Sequence, residues 1–138
     1  MEIRIMKPAD YSEVMNLWRG AAGVGISPDD SEEYIAGYLE RNPNTSFVAV
    51  EDNKIIGAIM AGHDGYRGAI RHTAVSEEYR GRGIGRKLVE NAVQALKSED
   101  VNKINLVVFE SNVSGNAFWE KMGFTVRTDL TYRNLRLN

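Results

Sequence analysis

Tyr79-Arg80-Gly81-Arg82-Gly83-Ile84-Gly85-Arg86-Lys87 is the stretch on which the reading of this chain turns. Three alternating glycines stand just ahead of a run in which Ile84, Leu88, Ala92 and Leu96 recur at helical spacing. Glycine lets backbone N–H groups converge and lets a ligand approach closely. A helix start adds unpaired N–H donors and a partial positive charge. Arg80, Arg82, Arg86 and Lys87 add full charges, giving an anion seat suited to a pyrophosphate. A tight turn with a solvated basic cap is the plainer alternative. Two familiar phosphate loops fail on one residue: the dinucleotide fingerprint needs glycine where Arg86 stands, and so does a Walker A loop begun at Gly81.

Working outward, Glu2 to Met6 alternates as a strand, and Asp10 with Glu13 resembles a capping box opening a first helix. Pro28 and the acids Asp29, Asp30, Glu32 and Glu33 look like the start of a second helix. Phe47 to Val50 and Ile55 to Ala61 form a hairpin across Glu51-Asp52-Asn53-Lys54, and Ala69 to Val75 is a fourth strand leading into the glycine turn. Ile104 to Phe109 is a dense fifth strand, Gly115 to Met122 a short helix capped by Gly123, and Phe124–Arg127 and Tyr132–Leu137 two last strands. The order β-α-α-β-β-β-α-β-α-β-β predicts an α/β domain. Its mixed, mostly antiparallel sheet is flanked by helices.

At 138 residues the chain has room for one domain, taken as 1–138. Hydrophobic residues at 43% and charged residues at 26% are ordinary globular usage and exclude disordered and collagen-like classes. A net charge of −2 supplies no general field for nucleic acid. The absence of cysteine excludes disulfides, thiolate metal sites and a cysteine nucleophile. The N-terminus lacks a signal-like apolar run, so the expectation is a cytoplasmic protein without membrane association, its Asn44 and Asn112 sequons unused.

Two blocks then carry a family resemblance. Arg80-x-x-Gly83-x-Gly85 matches the [QR]-x-x-G-x-[GA] signature of the GNAT superfamily of acyl-CoA N-acyltransferases, and Thr73 to Tyr79 matches its lead-in with Glu77 where proline is common. Asn112-x-x-Gly115-x-x-Phe118-Trp119-Glu120-Lys121-Met122-Gly123-Phe124 is similar to its second block. The element order fits that family over essentially the whole chain.

The resemblance implies acetyl transfer from acetyl-CoA, as cosubstrate, directly to a primary amine. The amine belongs to a small molecule, a peptide N-terminus or a lysine. No metal and no nucleic-acid partner are implied, and the protein would be a monomer or homodimer. It places the pyrophosphate on Arg80, Gly81, Arg82, Gly83, Gly85 and Arg86, a polarising backbone N–H at Val75, and further cofactor contacts at Asn112 and Trp119. Trp119 stands where the family's frequent tyrosine acid falls; an indole N–H donates hydrogen bonds but is no acid.

Strand alternation sets Ala69, Arg71, Thr73 and Val75 on one face, none of them a base, with His72 opposite as a structural residue. His63 belongs to a hairpin, and two histidines without spaced partners make no metal site. The side-chain acid and base stay unassigned, with a water chain to a distant carboxylate as the default. Trp18, Asp29, Asp30 and Tyr34 fall where the family borders its acceptor cleft. They read either as recognition of a cationic amine or as a helix start with core aromatics. The competing function is a non-catalytic acyl-CoA-binding sensor.

Overall fold

A computed structural model describes residues 1–138. The chain divides into two compact units, Met1–Val107 and Val108–Asn138.

The first unit is built on a sheet of order β1-β2-β3-β4-β5. β1 is Glu2–Ile5, β2 Phe47–Glu51, β3 Lys54–His63, β4 Gly68–Val75 and β5 Ile104–Asn105. The first four pair antiparallel in sequence order, and β5 joins β4 in parallel. Asp52 and Asn53 both take positive φ, as a two-residue β2–β3 turn requires.

Helices α1 (Tyr11–Arg19) and α2 (Glu32–Arg41) cover one face, and α3 (Ile84–Ser98) covers the other. On the first face Val14, Met15 and Trp18 of α1 and Ile35 and Leu39 of α2 pack on Val48, Ala58, Met60 and Ala74. On the second, Gly57 clears space for α3: a Cβ there would lie 3.1 Å from Leu88 Cδ1 and 3.3 Å from Ile84 Cγ2.

The helix starts differ from the sequence expectation. Asp10 does not cap α1 with its side chain. It is drawn off by Arg4, which donates two hydrogen bonds of 2.9 Å to it, and by the Lys7 N–H at 2.8 Å. Glu13 reaches instead to the Ile55 N–H of β3. Pro28–Asp30 is a separate 3-10 turn, and α2 starts only after Ser31, whose hydroxyl accepts from the Tyr34 N–H. The proline fixes the turn, and the serine supplies the cap that the acids do not.

One irregularity positions the site. Met60 pairs with His72, but Ala61 pairs with Ile70, so Arg71 is an extra residue in β4. At the same level β3 leaves its ladder with β2, and Ser46 and Thr45 hydroxyls satisfy the buried Ala61 N–H and C=O. The bulge reverses the facing of β4. Before it, Gly68 faces Leu96 and Val101 on the α3 side; after it, His72 meets Trp18 and Ala74 joins the α1–α2 core.

The second unit contains α4, Val113–Lys121, with Gly123 at φ +95° just past its end. Residues 124–138 form no strand, and β5 stops at Asn105, which corrects the two last strands and the longer fifth strand expected from alternation. Alternation marks a segment able to lie on a sheet; without neighbouring strands, a lone two-stranded hairpin is marginal in water. Val126, Leu130, Tyr132, Leu135 and Leu137 are accordingly exposed. No helix of the chain is long and apolar enough to cross a membrane.

Candidate active site

The glycine turn has the backbone of an anion seat. Gly81 and Gly83 take φ of +80° and +77°, and a Cβ on either would meet nothing within 4 Å. Their absent side chains therefore serve backbone conformation and open access rather than packing. Gly83 is the N-cap of α3, and its carbonyl accepts the Lys87 N–H at 3.1 Å. The N–H groups of Ile84, Gly85 and Arg86 precede that first helical bond and have no partner within the helix. Arg80, Arg82 and Arg86 are exposed. Arg82 lies over the Tyr79 ring at 4.9 Å and 3.7 Å from Glu51, and Arg86 reaches Glu90 at 3.7 Å. This donor set and its open approach fit the pyrophosphate of a nucleotide such as coenzyme A.

Beside the turn, β4 keeps a free edge. β5 pairs with it only at Gly68 and Ala69. Ser76 N–H donates to Ile56 O at 2.8 Å, so Val75, the neighbouring partner of Gly57, sits at a non-hydrogen-bonded position of the β3–β4 ladder. Its N–H and C=O thus point away from β3. The carbonyl accepts Arg80 Nε at 3.3 Å. The N–H points to the same side of β4, away from β3.

His72 of β4 pairs with a buried carboxylate. His72 Nε2 lies 2.8 Å from Asp30 Oδ1. Asp30 is itself 8% exposed. Its Oδ2 accepts the Ser27 N–H at 3.0 Å and its carbonyl accepts the Tyr11 hydroxyl at 2.8 Å. An ionised Asp30 accepts from Nε2–H, which leaves the lone pair on Nδ1. Trp18 meets the His72 ring edge-on at 4.9 Å and fixes its plane. The bulge at Arg71 sets His72 on the α1–α2 face, beside Trp18 and Asp30. No residue type announces that bulge. The only sequence sign is a cation next to a histidine in an otherwise apolar strand.

The remaining expected residues separate. Trp18 is fully buried, so it supports His72 rather than forming an exposed aromatic wall. Asp30 is taken up by His72, Asp29 stands exposed on the 3-10 turn, and Tyr34 is 59% exposed on the first turn of α2. His63 ends β3, bonded to Glu99 at 2.8 Å and accepting the Gly65 N–H at Nδ1, a hairpin residue as expected. In the second unit, Asn112 caps α4 by accepting the Gly115 N–H at 2.9 Å, and Trp119 packs edge-on between Phe118 and Phe124 at 5.0 and 5.2 Å. No group of three or more His, Cys, Asp or Glu side chains is placed to hold a metal ion.

Comparison with known proteins gives the chain's family. The model of the acetyltransferase (GNAT) family matches residues 11–124. An acetyltransferase of Sodalis glossinidius is 33% identical over 138 residues, covering 99% of this chain and 96% of that protein. Among solved structures, Ard1 from Thermoplasma volcanium superposes with a TM-score of 0.81 at 20% identity, covering 92% of this chain and 84% of that one. PaiA N-acetyltransferase from Thermoplasma acidophilum, in complex with coenzyme A, superposes with a TM-score of 0.77 at 21% identity, covering 91% and 90%. The likeness to these two structures is one of fold, and the sequence matches carry the assignment: the chain belongs to the acetyltransferase (GNAT) family of acyl-CoA-dependent acyltransferases.

Proposed function

We propose that this protein transfers an acetyl group from acetyl-CoA directly to a primary amine, with His72 as the base. The observation that carries the proposal is the His72–Asp30 pair on the strand that also presents the Val75 N–H. Along β4 the two positions are about 10 Å apart at the usual rise per residue.

The thioester supplies an activated acetyl carbonyl. Val75 N–H donates to the carbonyl oxygen as negative charge develops there. His72 Nδ1 takes the proton of the attacking amine as the C–N bond forms and the C–S bond breaks. Asp30 stabilises the imidazolium that results. With Trp119 unable to act as an acid, the departing thiolate takes its proton from solvent, which a thiol of pKa about 8.5 permits. Arg80 to Arg86 hold the nucleotide end.

The test follows free thiol over a panel of amines, with wild-type protein and His72→Gln. Thiol release by the wild type and a loss of about 10²-fold or more in kcat for the variant, at unchanged acetyl-CoA affinity, is the expected result. Acetyl-CoA binding without thiol release from any amine would instead favour the acyl-CoA-binding sensor.

A further inference from the structure

The extra residue in β4 does more than turn His72 over. It puts two consecutive side chains, Arg71 and His72, on the same face: His72 meets Trp18 of α1, and the Arg71 guanidinium lies near the Tyr38 hydroxyl of α2. In an unbroken strand consecutive side chains point to opposite faces. Arg71 is exposed, and the group beside it is a phenol. Burial pushes the Tyr38 phenol up from its ordinary range, more than Arg71 draws it down, so the group beside the guanidinium is neutral.

The phenol is held in turn. A Cβ on Gly62 would lie 2.6 Å from the Tyr38 hydroxyl oxygen and 2.6 Å from Asn42 Cγ, so the missing side chain of Gly62 is the space that the hydroxyl occupies. Asn42 is itself fixed, accepting the His63 N–H at 2.9 Å. The two carboxylate oxygens of Asp30 are engaged by His72 and Ser27. Arg71 and His72 are thus consecutive residues whose side chains share one face, with α-carbons about 3.8 Å apart.

We propose that Arg71 anchors a carboxylate on the acceptor, and that the acceptor is a free amino acid whose amine is presented to His72. The planar guanidinium matches a carboxylate in a two-bond fork. The placement of Arg71 and His72 as neighbours on one face suits an amine and a carboxylate held on the same small molecule. The same charge disfavours a polyamine, which reverses the cationic-acceptor reading of the acids at 29–33. The inference rests on the acetyl-transfer reading above and adds the class of acceptor.

The experiment measures thiol release with free amino acids, the same amino acids as carboxamides, a polyamine and a short peptide amide. It uses wild-type protein, Arg71→Gln and Arg71→Lys, with acetyl-CoA affinity measured by calorimetry as the check on folding. Wild-type kcat/KM is expected to be about 10- to 100-fold higher for an amino acid than for its carboxamide, the scale of hydrogen bonds to a charged group. In Arg71→Gln that advantage should vanish through a raised acceptor KM, with Arg71→Lys in between. Equal rates for acid and carboxamide, a preference for polyamine or peptide amide, or an advantage that survives in Arg71→Gln would each overturn the carboxylate anchor and leave acetyl transfer standing. No thiol release from any acceptor would overturn both.

Discussion

Asp30 and His72 stand 42 positions apart in the chain and meet at 2.8 Å. Each is brought there by a local departure from regular structure. Asp30 closes a 3-10 turn that Pro28 and Ser27 set, and His72 follows the extra residue of β4. A base oriented by a buried acid is a recurring arrangement for moving a proton at neutral pH. Asp30→Asn tests it with little steric change, since the amide oxygen can still accept from Nε2–H while the negative charge is lost. kcat should fall by about 10- to 100-fold with acceptor KM and acetyl-CoA affinity unchanged. Asp30→Glu should recover part of the loss. A fall in thermal stability without a fall in kcat would make Asp30 a packing residue.

Gly83 separates backbone strain from packing. At φ +77° with nothing within 4 Å of an added Cβ, Gly83→Ala meets no clash and suffers only the left-handed conformation, roughly 1–2 kcal/mol. The turn can relieve that strain by re-aiming its N–H groups, so coenzyme A affinity should fall. Gly83→Asp should lower it further by placing a carboxylate against the seat. Gly37, inside α2 with equally open space and no positive φ, is the control. Gly37→Ala should raise stability by about 0.5–1 kcal/mol and leave affinity alone. Calorimetric titration with coenzyme A reads both outcomes.

What the sequence revealed and what it hid divide along physical lines. The glycine turn was legible because positive φ and close backbone approach demand one residue type, and because the helix after it carries a strong apolar period. The Asp52–Asn53 turn was legible for the same reason. The bulge at Arg71 was not, since an added residue needs no special side chain, and its effect is to invert the facing of everything after it. Asp30 was found as one of a row of acids. Alternation holds from His72 to Val75, which face opposite sides of the sheet; what it misses is that the bulge puts Arg71 on the face of His72. The last strands were expected because Phe124–Arg127 and Tyr132–Leu137 carry strand-like composition, which does not by itself supply a neighbouring strand.

Trp119 occupies the position of a frequent acid without acid chemistry. Its indole lies edge-on to Phe118 and Phe124, each contact of a kind worth about 0.5–1.5 kcal/mol. Trp119→Phe keeps an aromatic ring in the cluster and removes only the N–H. The rate should stay within about tenfold, equivalent to roughly 1.4 kcal/mol of barrier. A collapse of kcat at unchanged cofactor affinity would show that the N–H stabilises the transition state. Trp119→Ala should lower thermal stability, since both aromatic contacts go.

Acid should weaken the fold through one identified pair. Asp10 joins the start of α1 to β1, accepting two hydrogen bonds from Arg4 and one from the Lys7 N–H. Burial of Asp10 works against its ionisation, but the Arg4 and Lys7 hydrogen bonds outweigh it and hold the carboxyl below its ordinary range. A carboxyl with a lower pKa folded than unfolded contributes its full stability above the unfolded value, about 3.9, and loses it as pH falls through the folded value. Wild-type Tm should therefore drop as pH is lowered below about 4. Asp10→Asn should have a lower Tm at neutral pH, because the ionic partner of Arg4 is gone, and a shallower fall in acid. The gap between the two curves should close as Asp10 becomes protonated in the folded wild type. Thermal unfolding of both proteins from neutral pH into acid measures this directly. Parallel curves, with a constant gap at every pH, would mean that Asp10 acts through hydrogen-bond geometry alone and that its charge contributes nothing to the fold.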